Sequence, residues 1–401
     1  MTVRTSITGL IASLGQSLLS LSFNLGGILA GTLIVLYFSV FDRTPIWTLA
    51  LLPGILSIRG AIGGLFSGRL STGLHLGTVK PSYVENTREF YLLFYAVVTL
   101  TLESSVVVGL VASLFNVVLW GASIVDCVSI IVVVVSTMGL SIIFISPITI
   151  GVSVVSFRRG LDPDVIVYPV MSTVADILVT VCYILELNIF FLFIPLGRYL
   201  IGFSALLFLL VVSYVLAKHG REDKFVKTIK EFFVTLVLVA FIVNVTGSFL
   251  NSISGVIGRR PEVYVVYPAL IDTVGDVGSI VGSTATTKLF LGVTSPSFSS
   301  IKQHSTRIGG AWGASMMMFT LYSVLPFTQR ITTLNNLPGF VAQLLMTNIL
   351  AVSAMVVIAY AVAIFTYRRG WDPDNFVIPI ESSLADSITT VSFLAALSAI
   401  G

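Results

Sequence analysis

The sequence predicts an all-α polytopic membrane protein with eleven transmembrane helices, arranged as two parallel five-helix repeats joined by one linker helix. Composition is the first reason: 56% of the 401 residues are hydrophobic, 10% are charged, and the mean hydropathy is +1.01. Such a chain cannot hide its apolar surface in a water-soluble core. The other reasons are two motifs that each occur twice and apolar runs of roughly 20 residues, the length that crosses about 30 Å of hydrocarbon.

Helices are expected rather than barrel strands, because runs such as SIIVVVVSTMGLSIIFI do not alternate polar and apolar residues. The N-terminal run lacks a cleavage pattern and is interpreted as a retained span. The first five predicted spans are residues 10–40, 46–77, 90–118, 121–156 and 164–190. The second five are residues 231–257, 264–292, 308–328, 338–366 and 374–400. Between the two sets, Tyr199–Ala217 is itself long enough to cross.

The eleventh span explains how the two halves can be parallel. Five spans would turn the second copy upside down unless an extra crossing precedes it, and Tyr199–Ala217 supplies that crossing. The halves are therefore predicted to be related by an axis along the membrane normal, unlike the inverted repeats common in transporters. The predicted units are a first repeat at 1–195, a linker helix with a basic cytoplasmic loop at 196–225, and a second repeat at 226–401.

The basic residues predict the orientation in the membrane. With the N-terminus inside, fourteen of the 22 Lys and Arg fall in inner segments, five in outer segments and three within spans. The positive-inside rule then predicts a multi-pass protein of the cell membrane with a cytoplasmic N-terminus and an external C-terminus. This asymmetry accounts for most of the net charge of +3, so the lipid bilayer is an expected partner and nucleic acid is not.

The first repeated motif is RRGLDPDVIVYPVMSTVADI from Arg158, which returns 210 residues later as RRGWDPDNFVIPIESSLADS from Arg368. Eleven of the twenty positions are identical. Its DPD element predicts a helix start, with Asp162 or Asp372 as the N-cap, proline at the first helical position, and a second acid that suits the helix N-terminus. The arginines are expected to anchor the helix at the cytoplasmic surface.

The last aspartate of this motif needs a different explanation. Asp176 and Asp386 each lie about 13 residues past the helix start, roughly 20 Å along the axis and near mid-membrane. A carboxylate there costs about 2.5 to 3.5 kcal/mol, which predicts a partner or a water-filled cavity. A polar clamp between helices and a protonated, hydrogen-bonded Asp are the structural alternatives. Matched acids in both halves favour a shared site.

The second repeated motif is PGILSIRGAIGGLFSGRLSTGLHLG from Pro53, which aligns with PALIDTVGDVGSIVGSTATTKLFLG from Pro268 at an offset of 215. Small residues recur every four positions in both copies. This pattern predicts close helix packing, with a pore lined by backbone carbonyls as the alternative. The copies differ in charge, because only the second carries Asp272 and Asp276 and only the first carries Arg59.

The predicted membrane interior is net acidic. Its charged groups are Arg59 and the acids Glu103, Asp176, Asp272, Asp276, Glu381 and Asp386. The simplest species to balance them is a cation, because like charges held close together disfavour one another's ionised form. Arg59 is expected to neutralise one of the acids, with Glu103 and Asp276 as the candidate partners.

In these segments the chain resembles the magnesium transporters of solute carrier family 41 and their bacterial MgtE-type relatives. The resemblance rests on SGRLSTGLHLG with the small-residue helix before it and on the twice-occurring DPD motif, and it spans both halves. It implies a parallel pseudo-dimer of two five-helix units joined by an extra helix, functional as a single chain, with a magnesium pathway along the interface. The membrane carboxylates of the family's fifth helices correspond to Asp176 and Asp386.

The chain departs from the family pattern in two respects. RGAIGG and GDVGS replace the Gly-Asn pattern of the second helix, so Arg59 is expected to break the symmetry of the site and Asp276 to take over as a ligand. The cytosolic magnesium-sensing domains of MgtE-type proteins are not found in this sequence. Any gating by magnesium is therefore expected to reside in the membrane part or in the short loops.

The resulting hypothesis is a divalent cation site, most simply for Mg²⁺, between the two repeats. Mg²⁺ prefers six oxygen ligands at about 2.0 to 2.1 Å and gives up its waters reluctantly, so carboxylates are expected to hold a largely hydrated ion. The predicted groups are Asp176 and Asp386 across the axis, Asp276 and Asp272 on the outer side, and the water-orienting hydroxyls of Ser172, Ser382 and Thr390.

Three functions remain open from the sequence. The first is divalent cation transport, by a channel or by an exchanger with Na⁺ or H⁺ as the coupling ion. The second is cation-coupled secondary transport of a small organic anion, which Arg59 would receive, and the third is a non-transporting membrane scaffold. Walker and Rossmann patterns do not occur in the sequence, so neither ATP-driven pumping nor enzymatic activity is expected.

Overall fold

The computed structural model describes residues 2–27, 44–45, 47–121, 123–236, 239, 261–328 and 337–400. These residues form eleven helices and no strand, which confirms the predicted all-helical class and the helix count. The helices of the first half are α1 Thr2–Leu21, α2 Trp47–Leu76, α3 Arg88–Trp120, α4 Ile124–Arg158 and α5 Pro163–Leu192, followed by α6 Leu196–His219. The remaining helices are α7 at 223–236, α8 Pro261–Phe290, α9 Ser305–Thr328, α10 Leu337–Arg368 and α11 Val377–Ile400.

Each predicted span overlaps one of these helices, and the two largest differences are helix starts that lie eight residues before the predicted ones. The first predicted span starts at residue 10, whereas α1 starts at Thr2; the part of that span at 28–40 lies outside the described residues. The seventh predicted span starts at residue 231, eight residues after the observed start of α7, because the polar segment at 223–230 is already helical. By length and composition, seven candidate membrane spans occur in the described ranges: Arg88–Val118, Ile124–Arg158, Pro163–Leu192, Leu196–His219, Phe298–Pro326, Leu337–Arg368 and Pro373–Ile400.

The DPD motifs start their helices as the sequence predicts. Asp162 accepts a hydrogen bond from the backbone N–H of Asp164 at 3.1 Å, and the next residue is a proline at the first position of α5. Asp372 caps the second copy through the same bond at 3.1 Å. There the first turn is a 3₁₀ turn, Pro373–Asn375, and α11 begins only at Val377.

The glycine of each RRG sequence ends the preceding helix. Gly160 and Gly370 have φ angles of 70° and 71°, a left-handed conformation that side chains with a Cβ rarely adopt. In both copies the residue after the glycine donates its N–H to a carbonyl five residues back, at 3.0 Å, as in a Schellman end. The motif therefore combines a helix stop with a helix start, which turns the chain sharply between α4 and α5 and between α10 and α11.

Helices α2 and α8, which carry the second repeated motif, contact each other and form the centre of the bundle. Helix α2 also contacts α3, α4, α5 and α11, and α8 also contacts α5, α9, α10 and α11. Helix α6 packs only at the periphery, on α3, α4 and α5, and exposes large apolar side chains such as Phe203 and Leu210. This exposed face is the surface expected to meet lipid acyl chains.

The first helix of each predicted repeat packs against the other half of the chain. Helix α1 contacts α9, and Leu21 belongs to the hydrophobic core formed mainly by α8 to α11. Conversely, Phe232 and Leu236 of α7 belong to the core formed by α2 to α5. The two halves are therefore interlocked; their arrangement as parallel repeats with the predicted boundaries stays a prediction.

Small residues let the central helices approach closely, as the second motif predicts. A Cβ atom added at Gly64 of α2 would lie 2.5 Å from Cγ2 of Ile378 on α11. On the other side of α11, a Cβ at Gly282 of α8 would collide with the Val377 side chain. Helix α11 is thus held between α2 and α8 by contacts that leave no room for larger residues.

Candidate metal centre

A cavity of about 370 Å³ lies in the centre of the bundle between α2, α5, α8 and α11. Six of the seven residues predicted to act on a metal or its waters line it, all except Thr390: Asp176 and Ser172 from α5, Asp386 and Ser382 from α11, and Asp272 and Asp276 from α8. Arg59 of α2 lines it as well. The structure therefore brings the predicted residues together from three helices, and their role as ligands stays a prediction.

Helical spacing explains why these residues share one cavity. Ser172 and Asp176 are four residues apart on α5, which places both side chains on one face of the helix. The same spacing separates Ser382 from Asp386 on α11, and Asp272 from Asp276 on α8. Each of the three helices thus contributes two polar groups, one turn apart on one of its faces, to the cavity.

Arg59 forms an ion pair with Asp176. Its Nη2 atom donates to Oδ1 of Asp176, and the two side chains are only 8% and 16% exposed. The two partners considered from sequence were both wrong, because Asp276 is bonded to other groups and Glu103 on α3 does not line the cavity. The spacing of the repeated motifs does not show which helix faces Arg59. The structure shows that this helix is α5, which packs against α2.

Asp386, the counterpart of Asp176 in the second motif, is not paired in this way. Among the described residues no side chain donates a hydrogen bond to its carboxylate or forms an ion pair with it. It lies close enough to Asp176 for their charges to interact. The ion pair of Arg59 therefore makes the site asymmetric, with one neutralised and one free carboxylate at equivalent positions of the two motifs.

Asp276 is held by an amide that the sequence analysis missed. Nδ2 of Asn24 donates to Oδ2 of Asp276 at 2.7 Å, and Oγ of Ser172 lies 3.5 Å from Oδ1. Asn24 is fully buried in the 3₁₀ turn Ser22–Gly26 that follows α1, and its Oδ1 accepts from Thr173 at 3.2 Å. In the sequence, a single Asn inside an apolar run could have indicated this contact, because a buried amide needs polar partners.

Asp272 faces the cavity beside Gly27. A Cβ atom added at Gly27 would lie 2.9 Å from Oδ2 of Asp272, so a side chain there would displace the carboxylate. Within the described ranges, no protein group donates a hydrogen bond to Asp272. Asp272 and Asp386 thus offer free carboxylate oxygens. The additional candidate Thr390 is bonded instead to the hydroxyl of Tyr267 and does not line the cavity.

The end of the bundle that holds the two DPD motifs, called here the DPD end, is closed by polar contacts between the halves. Nη2 of Arg69 on α2 lies 2.7 Å from Oδ2 of Asp372, and Arg307 on α9 pairs with Asp162. Between these pairs, the hydroxyls of Thr72 and Thr287 are 3.3 Å apart. Each arginine belongs to one half and its acid to the other, so the contacts hold the halves together about four turns from the cavity.

His75 joins the ion pair between Arg307 and Asp162. Its Nε2 atom lies 3.3 Å from Oδ1 of Asp162 and 3.9 Å from Oδ2 of Asp164. Burial alone would raise the pKa of Asp162, but the hydrogen bond with His75 and the charge of Arg307 hold it below its ordinary value. The three side chains are close enough to hold a metal ion. Asp162 is already paired with Arg307, however, and Asp164 accepts a hydrogen bond from Ser71.

Glu186 and Glu381 are buried acids that lie outside the cavity. Glu186 of α5, which the sequence analysis did not single out, is 3% exposed and accepts a hydrogen bond from Ser136 at 2.8 Å. Glu381 of α11 is fully buried, and neither of its carboxyl oxygens has a hydrogen-bond partner in the described part of the chain. Four acids of the predicted membrane interior therefore line the central cavity, whereas other buried acids lie elsewhere in the bundle.

Known families place this bundle among membrane transporters. A family model described as "MgtE: Divalent cation transporter" matches residues 52–185 and 267–396, one segment in each half. Because these segments make up more than half of the chain, the protein belongs to the MgtE family. A comparison with curated proteins found no match.

Solved structures give only weak likenesses. The Vibrio cholerae MATE transporter VcmN, in a mutant form, is 12% identical over 98% of both chains with a TM-score of 0.49. An outward-facing multidrug resistance MATE transporter of the MOP superfamily is 13% identical, and a MOP superfamily transporter from Pyrococcus furiosus is 12% identical. Both alignments cover 98% of each chain with a TM-score of 0.40. Scores below 0.5 establish neither a shared fold nor a shared activity.

Proposed function

We propose that this protein transports divalent cations, Mg²⁺ in particular, through the central cavity. The observation that carries the proposal is the convergence of Asp176, Asp272, Asp276 and Asp386 from three helices on one cavity. The match to a family of divalent cation transporters supports it. Buried carboxylates are costly inside a membrane, so their grouping is expected to serve a positively charged substrate.

The charge balance of the cavity favours a divalent ion. Arg59 neutralises Asp176, while Asp386 and Asp272 lack protein donors in the described ranges and Asp276 is bonded only to neutral groups. A doubly charged cation would compensate the two free carboxylates. The same cavity would be less favourable for an organic anion, because Arg59 is already engaged and the remaining ionisable groups are acids.

The size of the cavity suits an ion that keeps its water. Six waters occupy roughly 180 Å³ at their share of liquid volume, which is smaller than the cavity of about 370 Å³. Mg²⁺ sheds its hydration shell reluctantly and is commonly bound through one or two carboxylates. Asp386 and Asp272 would therefore contact the hydrated ion, with Ser172 and Ser382 orienting its waters.

Passage towards the DPD end, which the charge pattern predicts to be cytoplasmic, requires a conformational change. The threonine hydroxyls of α2 and α8 lie 3.3 Å apart there, which leaves no space for a hydrated ion. The pairs Arg69–Asp372 and Arg307–Asp162 would have to separate as the halves move apart. The structure thus corresponds to a state in which the ion site is closed on that side.

We also propose the finer architecture that the sequence suggests. The protein would be a single-chain pseudo-dimer of two parallel repeats, similar in pattern to solute carrier family 41 and the MgtE-type proteins, with its N-terminus cytoplasmic. Thr72 and Thr287, 215 residues apart, meet each other as equivalent positions near a two-fold axis would. The interlocked packing of α1 and α7 also fits such an axis.

Mg²⁺ flux into proteoliposomes tests the proposal. Asp386→Asn and Asp176→Asn are each expected to lower flux at least about tenfold, and the double variant to abolish it, because the cavity loses its anionic oxygens. Glu103→Gln is the matched control, since this acid lies on α3 outside the cavity, and should transport normally. Normal flux in the double variant would refute the site. Dependence of flux on an imposed Na⁺ or proton gradient would distinguish an exchanger from a channel.

A further inference from the structure

The turn that follows α1 reaches the wall of the central cavity. It consists of the 3₁₀ turn Ser22–Gly26 and of Gly27, which lines the cavity. A Cβ atom added at Gly26 would lie 2.7 Å from Cγ2 of Thr173 on α5, and one at Gly27 would lie 2.9 Å from Oδ2 of Asp272 on α8. The turn is therefore seated closely against α5 and α8 at positions where glycine permits the approach.

Asn24 of this turn uses both hydrogens and the oxygen of its amide group. Its Nδ2 atom donates to Oδ2 of Asp276 at 2.7 Å and to Oγ1 of Thr273 at 3.2 Å. Its Oδ1 atom accepts from Thr173 at 3.2 Å. The reverse orientation would place the amide oxygen against the carboxylate of Asp276, which has no hydrogen to donate. Partners on two helices therefore fix the amide in one orientation.

The hydrogen bonds continue beyond Asn24. Because Thr273 accepts from Asn24, its own hydroxyl hydrogen is left for the hydroxyl of Tyr322 on α9, 3.0 Å away. Asn24 has no solvent exposure, and Thr273 and Tyr322 are fully buried as well. A buried polar network whose members all have partners is rigid. The position of Asp276 is thus set by the turn after α1 as well as by its own helix.

The two carboxyl oxygens of Asp276 have different surroundings. Oδ2 accepts the short bond from Asn24, whereas Oδ1 lies 3.5 Å from Oγ of Ser172, another cavity residue. The Ser172 hydroxyl has a single hydrogen, and the carbonyl of Pro169 is closer to it, at 3.1 Å. One oxygen of Asp276 is therefore held by the protein, and the other remains available to a ligand in the cavity.

This difference bears on the choice between divalent ions. Mg²⁺ demands a nearly ideal octahedron of about six ligands, whereas Ca²⁺ accepts about six to eight oxygens in flexible geometry and also binds carboxylates through both oxygens. A carboxylate with one oxygen already bonded to an amide can supply a single ligand atom. It cannot chelate a Ca²⁺ ion through both oxygens.

We propose that Asn24 is a specificity-determining residue, which makes Asp276 a one-oxygen ligand and thereby favours Mg²⁺ over Ca²⁺. Asn24 acts through Asp276 and does not itself touch the ion, so it is a positioning residue. Without the amide, Asp276 can turn and offer both oxygens, from which Ca²⁺ gains more than Mg²⁺. Specificity is a difference between two affinities, and this change reduces the difference. The inference rests on the proposed cation site.

The test compares Mg²⁺ and Ca²⁺ flux into proteoliposomes that contain the full-length protein. Asn24→Ala should lower the preference for Mg²⁺ over Ca²⁺ at least about fivefold, whereas a purely structural defect would lower both fluxes alike. Thr173→Val, which removes the hydroxyl that holds the amide oxygen, should shift the preference in the same direction by less. The matched control is Asn348→Ala, because this fully buried amide bonds to Trp312 and Ser315 instead and should leave the preference unchanged.

An unchanged preference in Asn24→Ala would overturn the inference, and so would a wild type that carries Mg²⁺ and Ca²⁺ equally well. If Asn24→Ala fails to fold, Thr173→Val decides in its place. An equal loss of preference in Asn348→Ala would also overturn it, because the effect would then follow from any lost buried amide. Normal Mg²⁺ flux in the Asp176→Asn, Asp386→Asn double variant would instead refute the ion site itself.

Discussion

Arg59 brings a fixed positive charge to Asp176, while Asp386, the equivalent acid of the second motif, has no hydrogen-bond donor among the described residues. The arginine is 7% exposed and lines the cavity, so its charge acts through a poorly hydrated medium. At an effective dielectric constant of 20, a unit charge about 8 Å from a divalent ion opposes its binding by about 4 kcal/mol. Arg59 therefore weakens cation binding, which favours release over tight capture.

Removing this charge should strengthen binding. In Arg59→Gln, Asp176 becomes a free carboxylate and the repulsion disappears, so calorimetry should show Mg²⁺ or Mn²⁺ binding at least about tenfold tighter, equal to about 1.4 kcal/mol. Flux at saturating Mg²⁺ should fall, because a tightly held ion leaves slowly. Arg159→Gln, at an exposed arginine of the first DPD motif, is the control and should bind as the wild type does. Unchanged or weaker binding in Arg59→Gln would contradict this role.

Individual residues were predictable from sequence where a repeat or a helical spacing marked them. Asp176 and Asp386 stood out because an acid recurs at the same place in two apolar helices, and Ser172 and Ser382 were predicted to orient water beside them. Partners of these residues were not predictable. The pairing of Arg59 with Asp176 and of Asn24 with Asp276 depends on which helices meet in space, and neither pair is close in sequence.

Glycines on α2 and α8 determine how closely α11 can approach these two helices. Helix α11 carries cavity residues on one face and Glu381 on another, and it is held between α2 and α8 where Gly64 and Gly282 leave space for Ile378 and Val377. A displacement of α11 would therefore move both the cavity and the buried carboxyl group. Close packing at these glycines is what sets the width of the site.

A methyl group at this crossing should destabilise the protein. Gly64→Ala places Cβ 2.5 Å from Cγ2 of Ile378, and the forced shift should lower the free energy of unfolding by about 1 to 3 kcal/mol. Thermal unfolding in detergent should show a lower Tm. Gly15→Ala on α1, where nothing lies within 4 Å of the added Cβ, is the control and should not lower the Tm. Equal Tm values for wild type and Gly64→Ala would mean that the crossing is looser than it appears.

Helix ends were predictable where local chemistry decides them. The DPD caps follow from Asp and Pro preferences, and the structure contains both. The early start of α7 was missed because residues 223–230 are charged, and hydropathy alone assigns such a segment to a loop. The 3₁₀ turn before α11 has no counterpart in α5, although both copies begin with DPD.

At the scale of the whole molecule, the two halves meet at the DPD end, and the proposed transport requires them to part there. The contact between Thr72 and Thr287 allows a direct test through a cross-link. With Cys127 and Cys182 replaced by alanine, Thr72→Cys plus Thr287→Cys should form a disulfide on oxidation, because the hydroxyls it replaces are 3.3 Å apart.

The oxidised double-cysteine protein should lose Mg²⁺ flux at least about tenfold and regain it after reduction, since separation of α2 and α8 is then blocked. Each single-cysteine variant under the same oxidant is the control and should transport normally. Full flux in the cross-linked protein would show that ions cross without parting these helices, and would exclude the DPD end as a gate.

The number of helices was predictable from hydropathy, but the partners of α1 and α7 were not. Each lies at the start of a predicted repeat, and its place along the chain does not show that it packs against the other half. In the structure each lies against the other half, because the hydrophobic surface left open by α8 to α11, or by α2 to α5, is covered by a helix from elsewhere in the chain.

This exchange of helices has a consequence for biosynthesis. Among the described helices α1 is synthesised first, and its main neighbour α9 follows only after seven others. Helix α1 must therefore insert into the bilayer before α9 has been made, and the two helices can pack against each other only later. A fragment that ends after α6 would lack α9, the helix against which α1 mainly packs. We therefore expect that neither half folds completely without the other.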